Sequence, residues 1–254
     1  MAETYMTLSS LKHYDEKIKE VISKKQDQLV GTEGQVVSFD ENGNVISIDL
    51  DVTDLGEKLD KENPNGTGSL SLNRKDSTDV GNYSVAVGDR TTATGKAAFA
   101  EGCLTSATAP QSHAEGDGTV ASGTGAHAEG GYVDGVYTTA SGDYSHAEGV
   151  GTTASEAGTH TEGYKTTATA PYAHAEGYEA NATGGVSHAE GYKTTAAGLR
   201  SHAEGVNSKT GSSATAAHAE GWSTQALGAG SHSEGIETIA EGIYSHAEGG
   251  NNTI

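Results

Sequence analysis

The stretch SHAEGYKTTAAGLR, residues 187–200, decides the fold, because the chain repeats it with a fixed short period; residues 159–172 read THTEGYKTTATAPY. Aligned on one column, Val85, Phe99, His113 and His127 follow one another at intervals of 14 residues. The same interval separates His146, His160, His174, His188 and His202, and later His218, His232 and His246. Ten of the eleven histidines occupy this column. Two steps are longer, His127 to His146 by five residues and His202 to His218 by two, and read as insertions into single coils.

A fixed short period means that each unit makes the same small structure and buries its face only against its neighbours, so the array from Tyr83 onward is a solenoid. Fourteen residues are too few for two helices and suit two short strands joined by two turns. In SHAEG, strand alternation sends the Ala to one face and both His and Glu to the other. In the second strand, one Thr of each TTA faces in with the Ala and the other faces out. The alanines then fill the narrow space between the two strands, and the glycines are expected at turns of positive φ. A roll of twelve such coils, stacked at the spacing of paired strands, is roughly 55–60 Å long.

Composition agrees. Only 33% of the 254 residues are hydrophobic while 36 are glycine, too little large apolar volume for a globular core of this length. The formal net charge of −20, with no run of Lys and Arg, argues against nucleic-acid binding. A lone cysteine, Cys103, permits no disulfide within the chain. The start, MAETYMTLSSLKHYDEK, has neither the basic opening nor the apolar stretch of a signal peptide, and no apolar run suits membrane insertion.

Residues 1–82 divide differently. Within 1–30, Leu11, Tyr14, Ile18 and Val21 recur at helical spacing and predict a short N-terminal α-helix, a coiled-coil seam for trimerisation or attachment. Residues 31–60 predict a β-hairpin module, with GQVVSFD and NVISIDLDV flanking Glu41, Asn42 and Gly43, since Asn-Gly is a strong hairpin signal. Residues 61–82 read as a linker and lead-in, and 83–254 as the β-roll.

Stacking turns every position into a ladder of like residues. A glutamate column at the coil spacing repels itself unless compensated, and the histidine column beside it is the obvious compensator. A thin coil cannot bury either column alone. The expectation is that this face meets another chain, with His of one subunit paired to Glu of the next, His pKa values raised and Glu pKa values lowered.

The strand NYSVAVGDRTTATG, Asn82 to Gly95, and the period from 69 to 254 resemble the head repeats of trimeric autotransporter adhesins. The resemblance implies a mainly β fold, a trimeric left-handed parallel β-roll. It also places the interface ladder on the trimer axis: Val85 and Val87, Phe99 and Glu101, then His113 with Glu115, His127 with Glu129, His146 with Glu148, and His160 with Glu162. The ladder continues through His174 with Glu176, His188 with Glu190, His202 with Glu204, His218 with Glu220, His232 with Glu234, and His246 with Glu248. The HAEG form of the repeat and the segment GTEGQVVSFDENGNVI resemble fibre and appendage proteins of bacteriophages and prophages. That implies a viral structural protein, a homotrimeric tail fibre made in the host cytoplasm without a signal peptide and attached to other virion or tail proteins through its N-terminal helix. Its outer repeats would meet a host cell-surface glycan or protein.

No catalytic, cofactor or dedicated metal site is expected. Regular His and Glu donors suit transition ions, but the chain offers ten near-equal sets rather than one distinctive constellation. Paired catalytic carboxylates require two different environments across a groove, whereas these acids share one column. The residue after each HAEG is often large, as at Tyr164, Tyr178, Tyr192 and Trp222, which suits a packing ladder more than a sugar platform. An ice-binding face is disfavoured by Lys209 and Gln225 in the outward Thr column. The insertion GGYVDGVYT, carrying Tyr132, Asp134 and Tyr137, is the candidate receptor contact, since loops on a rigid scaffold carry recognition.

Overall fold

The computed structural model describes residues 80–251 and the backbone of three earlier strands, Val36–Phe39, Val45–Ile48 and Leu70–Leu72. The chain divides into two compact units, Met1–Lys61 and Glu62–Ile254. In the first, Val36–Phe39 and Val45–Ile48 pair antiparallel, Val36 opposite Ile48 and Phe39 opposite Val45. This is the hairpin expected around Asn42 and Gly43. The helix expected over 1–30, with Leu11, Tyr14, Ile18 and Val21, lies outside the described residues.

The second unit is a parallel β-solenoid of about twelve coils. Each coil has a long strand, such as His188–Tyr192, and a short one, such as Thr195–Ala196. Among the described residues the long strands build one sheet of 13 and the short strands a second of 11, every neighbour parallel to the next. The register never drifts: His188 pairs His202, Ala189 pairs Ala203, Glu190 pairs Glu204 and Gly191 pairs Gly205. The long-strand sheet begins with Leu70–Leu72, where Leu70 pairs Val85 and Leu72 pairs Val87. Part of what reads as lead-in is therefore one more strand.

Both insertions leave the register intact. The five extra residues lie between His127–Gly131 and Thr138–Ala140, where Val133 and Val136 bridge antiparallel, while Glu129 still pairs Glu148. The two extra residues lie between Lys209–Thr210 and His218–Trp222, and Ala203 still pairs Ala219.

Alanine makes the core. Ala189 and Ala196 face each other across one coil with no exposed surface, and the same is true of Ala175 and Ala182. Thr194 and Ser201 are also buried, at the two ends of this interior. Ser201 Oγ donates to the Gly198 carbonyl at 2.8 Å, and Ser112, Ser145 and Ser231 do the same three residues back. That bond locks the second turn and explains the Ser before so many histidines.

The turns bear out the expectation only in part. Glycine holds the left-handed conformation at Gly118 and Gly151 in one turn and at Gly125, Gly158 and Gly230 in the other, but most coils place non-glycine residues there, with φ of 57° at Lys193 and at Arg200 and 55° at Val186. Left-handed geometry reverses the amide: Lys193 N–H donates to Tyr178 O of the preceding coil, whereas His202 N–H donates to Ala217 O of the following one. The backbone stays satisfied through the bend. The HAEG glycine lies instead inside the long strand. Gly191 has φ +106°, and a Cβ there would sit 2.3 Å from the Gly205 carbonyl oxygen. Glycine is required because the coils approach too closely, not because the chain turns.

Two substitutions separate these roles in thermal melts of the full chain. Gly191→Ala is expected to destabilise by about 3 kcal/mol or more, since both the φ and the close approach forbid a Cβ. Val186→Asn is expected to stabilise by about 0.5–1 kcal/mol, because a β-branched residue is unfavourable at left-handed φ and asparagine tolerates it.

Candidate functional site

Among the described residues, the long-strand face carries the regular columns of His and Glu side chains. Strand alternation sends His188 and Glu190 outward, each half-buried, while Ala189 between them is fully buried. Register then stacks each residue on its own kind. Imidazoles from His113 to His246 lie face to face with centroids 4.6–4.9 Å apart, and Phe99 caps the stack 4.8 Å from His113. Ahead of Phe99 the column continues as Val85 and Leu70, and ahead of Glu101 as Val87 and Leu72. Sequence reading missed the two leucines; their signal is the alternation of LSL, which matches VAV fifteen residues later.

The His and Glu columns meet within one chain. His127 Nε2 lies 3.1 Å from Glu115 Oε1 of the preceding coil, and His146 Nε2 lies 3.1 Å from Glu129 Oε1. Further along the contacts lengthen: His188 Nε2 is 3.5 Å from Glu176 Oε1 and 3.9 Å from Glu190 Oε2. Nε2 of His113, His160 and His174 is closed to solvent and has no hydrogen-bond partner. Within a single chain the two columns therefore pair between coils, in contacts that lengthen toward the C-terminal half.

In the single chain the histidine pKa values run opposite to the direction expected for a face paired with another subunit. His113, His160, His174, His202 and His218 are lowered, first by burial and next by the neighbouring imidazole in the stack. Only the carboxylates oppose this, and they are outweighed. The glutamates are not uniformly lowered either; they alternate. Glu162, Glu190 and Glu220 are lowered by hydrogen bonds to adjacent carboxyl groups. Glu176 and Glu204 are raised to about 7, chiefly by the same contacts from the other side, with burial adding to it. Glu148 is raised, foremost by burial.

Glu162, Glu176, Glu190, Glu204, Glu220 and Glu234 line an open groove floored by the HAEG glycines. Several His–Glu–His sets bring their donor atoms within 4.8 Å of one another. The imidazole-to-carboxylate distances in these sets run from 3.1 Å at His127 and Glu115 to 4.0 Å at His232 and Glu220.

The column after the glycine behaves as a packing ladder. Tyr164, Tyr178 and Tyr192 stack with centroids 4.9 and 5.0 Å apart, so each covers its neighbour's face and offers mainly an edge outward. Lys165 and Lys193 lie over Tyr164 and Tyr192 at 5.4 and 5.3 Å. Pyranose stacking needs a free face, which these rings lack.

The insertion is anchored. Tyr132 and Tyr137 stack at 5.7 Å, and Lys165 Nζ donates to Asp134 Oδ2 at 2.8 Å. Tyr132 lies over Gly118 and Val133 over Gly151, where a Cβ would come within 2.6 and 2.8 Å of them. Other coils carry Leu104, Lys165 or Lys193 at that left-handed turn position, so the two glycines beside the insertion are a signal the sequence held. Tyr132 and Tyr137 remain about two-fifths exposed.

No helix among the described residues is long and apolar enough to cross a membrane. No protein-family model matches the sequence, and comparison with curated proteins finds no match.

These shifts fix the sign of the pH response. Lowered imidazoles and the lowered glutamates favour the folded state above their ordinary ranges, and that contribution fails as pH falls through their folded values. Raised glutamates favour it below their ordinary range, and that contribution fails as pH rises through about 7. Calorimetric melts of the full chain should therefore peak at about pH 6 and decline on both sides. A melting temperature still rising between pH 6.5 and 8 would contradict the assignment.

Proposed function

We propose that the protein is a structural fibre of a bacteriophage or phage-like particle, a homotrimer of left-handed β-rolls held by its N-terminal segment and presenting the roll to a host surface. The observation that carries this reading is the unfinished long-strand face. Imidazole nitrogens that are shut from solvent yet unpartnered, as in His113, His160 and His174, each carry a desolvation penalty of about 1–3 kcal/mol. A second and third copy of the same face, offering carboxyl groups to those nitrogens, removes the penalty. The ladder from Val85 to Glu248 is then the trimer interface, and its apolar start at Val85, Val87 and Phe99 seeds it.

The array also supports a mechanical role. The coils repeat an interior of alanine, varied only at Thr161, Thr210 and Ser233, and the conspicuous acids share one column, which favours adhesion or architecture over catalysis. A roll of this kind projects a surface without a hinge. The anchored insertion at Tyr132, Asp134 and Tyr137 breaks the repeat and leaves two tyrosines accessible, so it is the receptor contact in this reading. Two further readings share the fold: a decorating virion fibre with no receptor, and the head of a bacterial surface adhesin.

Sedimentation equilibrium of the full chain tests the assembly, with an expected mass of three times 25.8 kDa. A monodisperse monomer would overturn it. Deleting Tyr132 to Tyr137 tests the role. An unchanged oligomer that no longer binds host cells supports adhesion, and undiminished binding gives the fibre an architectural role.

A further inference from the structure

Two features of the long-strand face meet in the C-terminal half of the array, imidazole nitrogens without hydrogen bonds and a row of like-charged carboxylates. They meet with a recurring geometry. Nε2 of His188 lies 3.5 Å from Glu176 Oε1 of the preceding coil and 3.9 Å from Glu190 Oε2 of its own. His202 repeats this at 3.7 and 3.9 Å with Glu190 and Glu204, and His218 at 3.8 and 3.7 Å with Glu204 and Glu220. His232 stands 4.0 and 3.9 Å from Glu220 and Glu234. All four nitrogens are closed to solvent, and none has a hydrogen-bond partner. These contacts are too long for hydrogen bonds, but they suit ligands of a shared ion. Two donors each about 2.1 Å from one ion stand about 3.4 Å apart at a tetrahedral angle, and farther as that angle opens.

We propose that each coil from His188 to His232 offers one nitrogen and two oxygen ligands to a divalent transition-metal ion, and that ions bound there neutralise the glutamate column. Glu190, Glu204 and Glu220 each give Oε2 to their own coil and Oε1 to the next, so one carboxylate bridges successive positions. All three donors come from one chain, so the arrangement does not rest on trimer formation. The nitrogens of His113, His160 and His174, which the trimer reading gives to partner subunits, are not among them. Near-equal sets that argue against one dedicated centre make instead a row of equivalent ones.

The donor set selects the ion. An imidazole nitrogen with carboxylate oxygens suits Zn²⁺, whereas Mg²⁺ and Ca²⁺ take oxygen ligands and leave the nitrogen unused. A histidine binds metal in its neutral form, and burial with stacked neighbours holds His202 and His218 toward that form. The glutamates line an open groove, which gives an ion a way in and leaves its remaining positions to water or to a second copy. Charge sets the number. The five carboxylates at Glu176, Glu190, Glu204, Glu220 and Glu234 carry five negative charges and two dications carry four positive ones, so about two ions per chain, in alternate coils, bring the run near neutrality. The lysines of the neighbouring turns are engaged elsewhere, Lys193 with Glu179 at 3.4 Å and Lys165 with Asp134 at 2.8 Å.

The test titrates Zn²⁺ calorimetrically into the full chain after chelator treatment. Uptake of about two ions per chain is expected, with a melting temperature that Zn²⁺ raises and chelator restores. X-ray absorption at the zinc edge is expected to show imidazole nitrogen together with carboxylate oxygen. The double variant Glu190→Gln with Glu204→Gln strips carboxylates from beside His188, His202 and His218, and is expected to weaken binding about tenfold or more. Removing the same charge from the turns, in Glu179→Gln with Glu237→Gln, is expected to leave affinity within about twofold. A zinc shell of oxygen alone overturns the proposal, as does undiminished binding in the first variant. An equal loss in the second variant, or displacement of Zn²⁺ by equimolar Mg²⁺, reduces the effect to general attraction by acidic charge and overturns it too. If the first variant does not fold, the wild-type zinc shell decides by itself.

Discussion

The distance between successive coils governs everything else in this molecule. Backbone hydrogen bonds from one coil to the next fix it at the spacing of paired strands, and the imidazole stack reads it directly at 4.6–4.9 Å. Because the register does not drift, whatever residue type a position holds is presented to a copy of itself at that separation, a dozen times. A column is tolerable only if its residue type packs well on itself. Flat aromatic and imidazole rings do, and so do alanines in the interior. Glycine at the fourth position of HAEG is the extreme case, where the approach leaves no room for any side chain. Carboxylates are the one type that cannot stack on themselves in their ionised form, and the chemistry of the long-strand face is the response to that conflict.

This accounts for the division of labour around the coil. The inside holds residues that need no partner beyond contact, Ala189 and Ala196, with Thr194 and Ser201 closing the ends. The turns hold residues chosen for little more than tolerance of left-handed φ, and so Lys193, Glu179 and Asn207 alternate there freely. The outer face of the short strands varies as well, from Thr195 to Lys209 to Gln225. Only the His and Glu columns are both outward and nearly invariant along the chain. Side chains in the turns and on the short-strand face meet their neighbours only in scattered pairs, such as Lys193 with Glu179, whereas those on the long-strand face are bound by what lies above and below them. The repeated identity of a half-buried polar pair is the mark of a surface that performs a task.

Much of this was legible in the sequence, and for a physical reason: a strict period converts one local reading into a dozen. The strand alternation of SHAEG placed Ala189 inside and His188 and Glu190 outside, and the Asn42–Gly43 dipeptide marked the hairpin. What was not legible came from contacts between coils rather than along the chain. Glycine was expected at turns because turns are its usual place, yet Gly191 is demanded by the Gly205 carbonyl, an atom fourteen residues away. Leu70 and Leu72 precede Val85 and Val87 by fifteen residues, one more than the period, and so fall out of step with it. Gly118 and Gly151 look like two more turn glycines until the insertion is seen lying over both.

The histidine pKa values show the same limit most sharply. Along the chain His202 has Glu204 two residues away, which suggests a paired and charged imidazole. In the stack its nearest neighbours are His188 and His218, ring upon ring, and the carboxylates stand at 3.7 and 3.9 Å, farther off than hydrogen-bond distance. Charging one imidazole is opposed by burial and by its stacked neighbours at once, and charging several compounds the opposition. Two columns that read along the chain as a row of ion pairs thus include, in the folded array, imidazoles held below their ordinary range at His113, His160, His174, His202 and His218, and the pH response of the face draws on both columns.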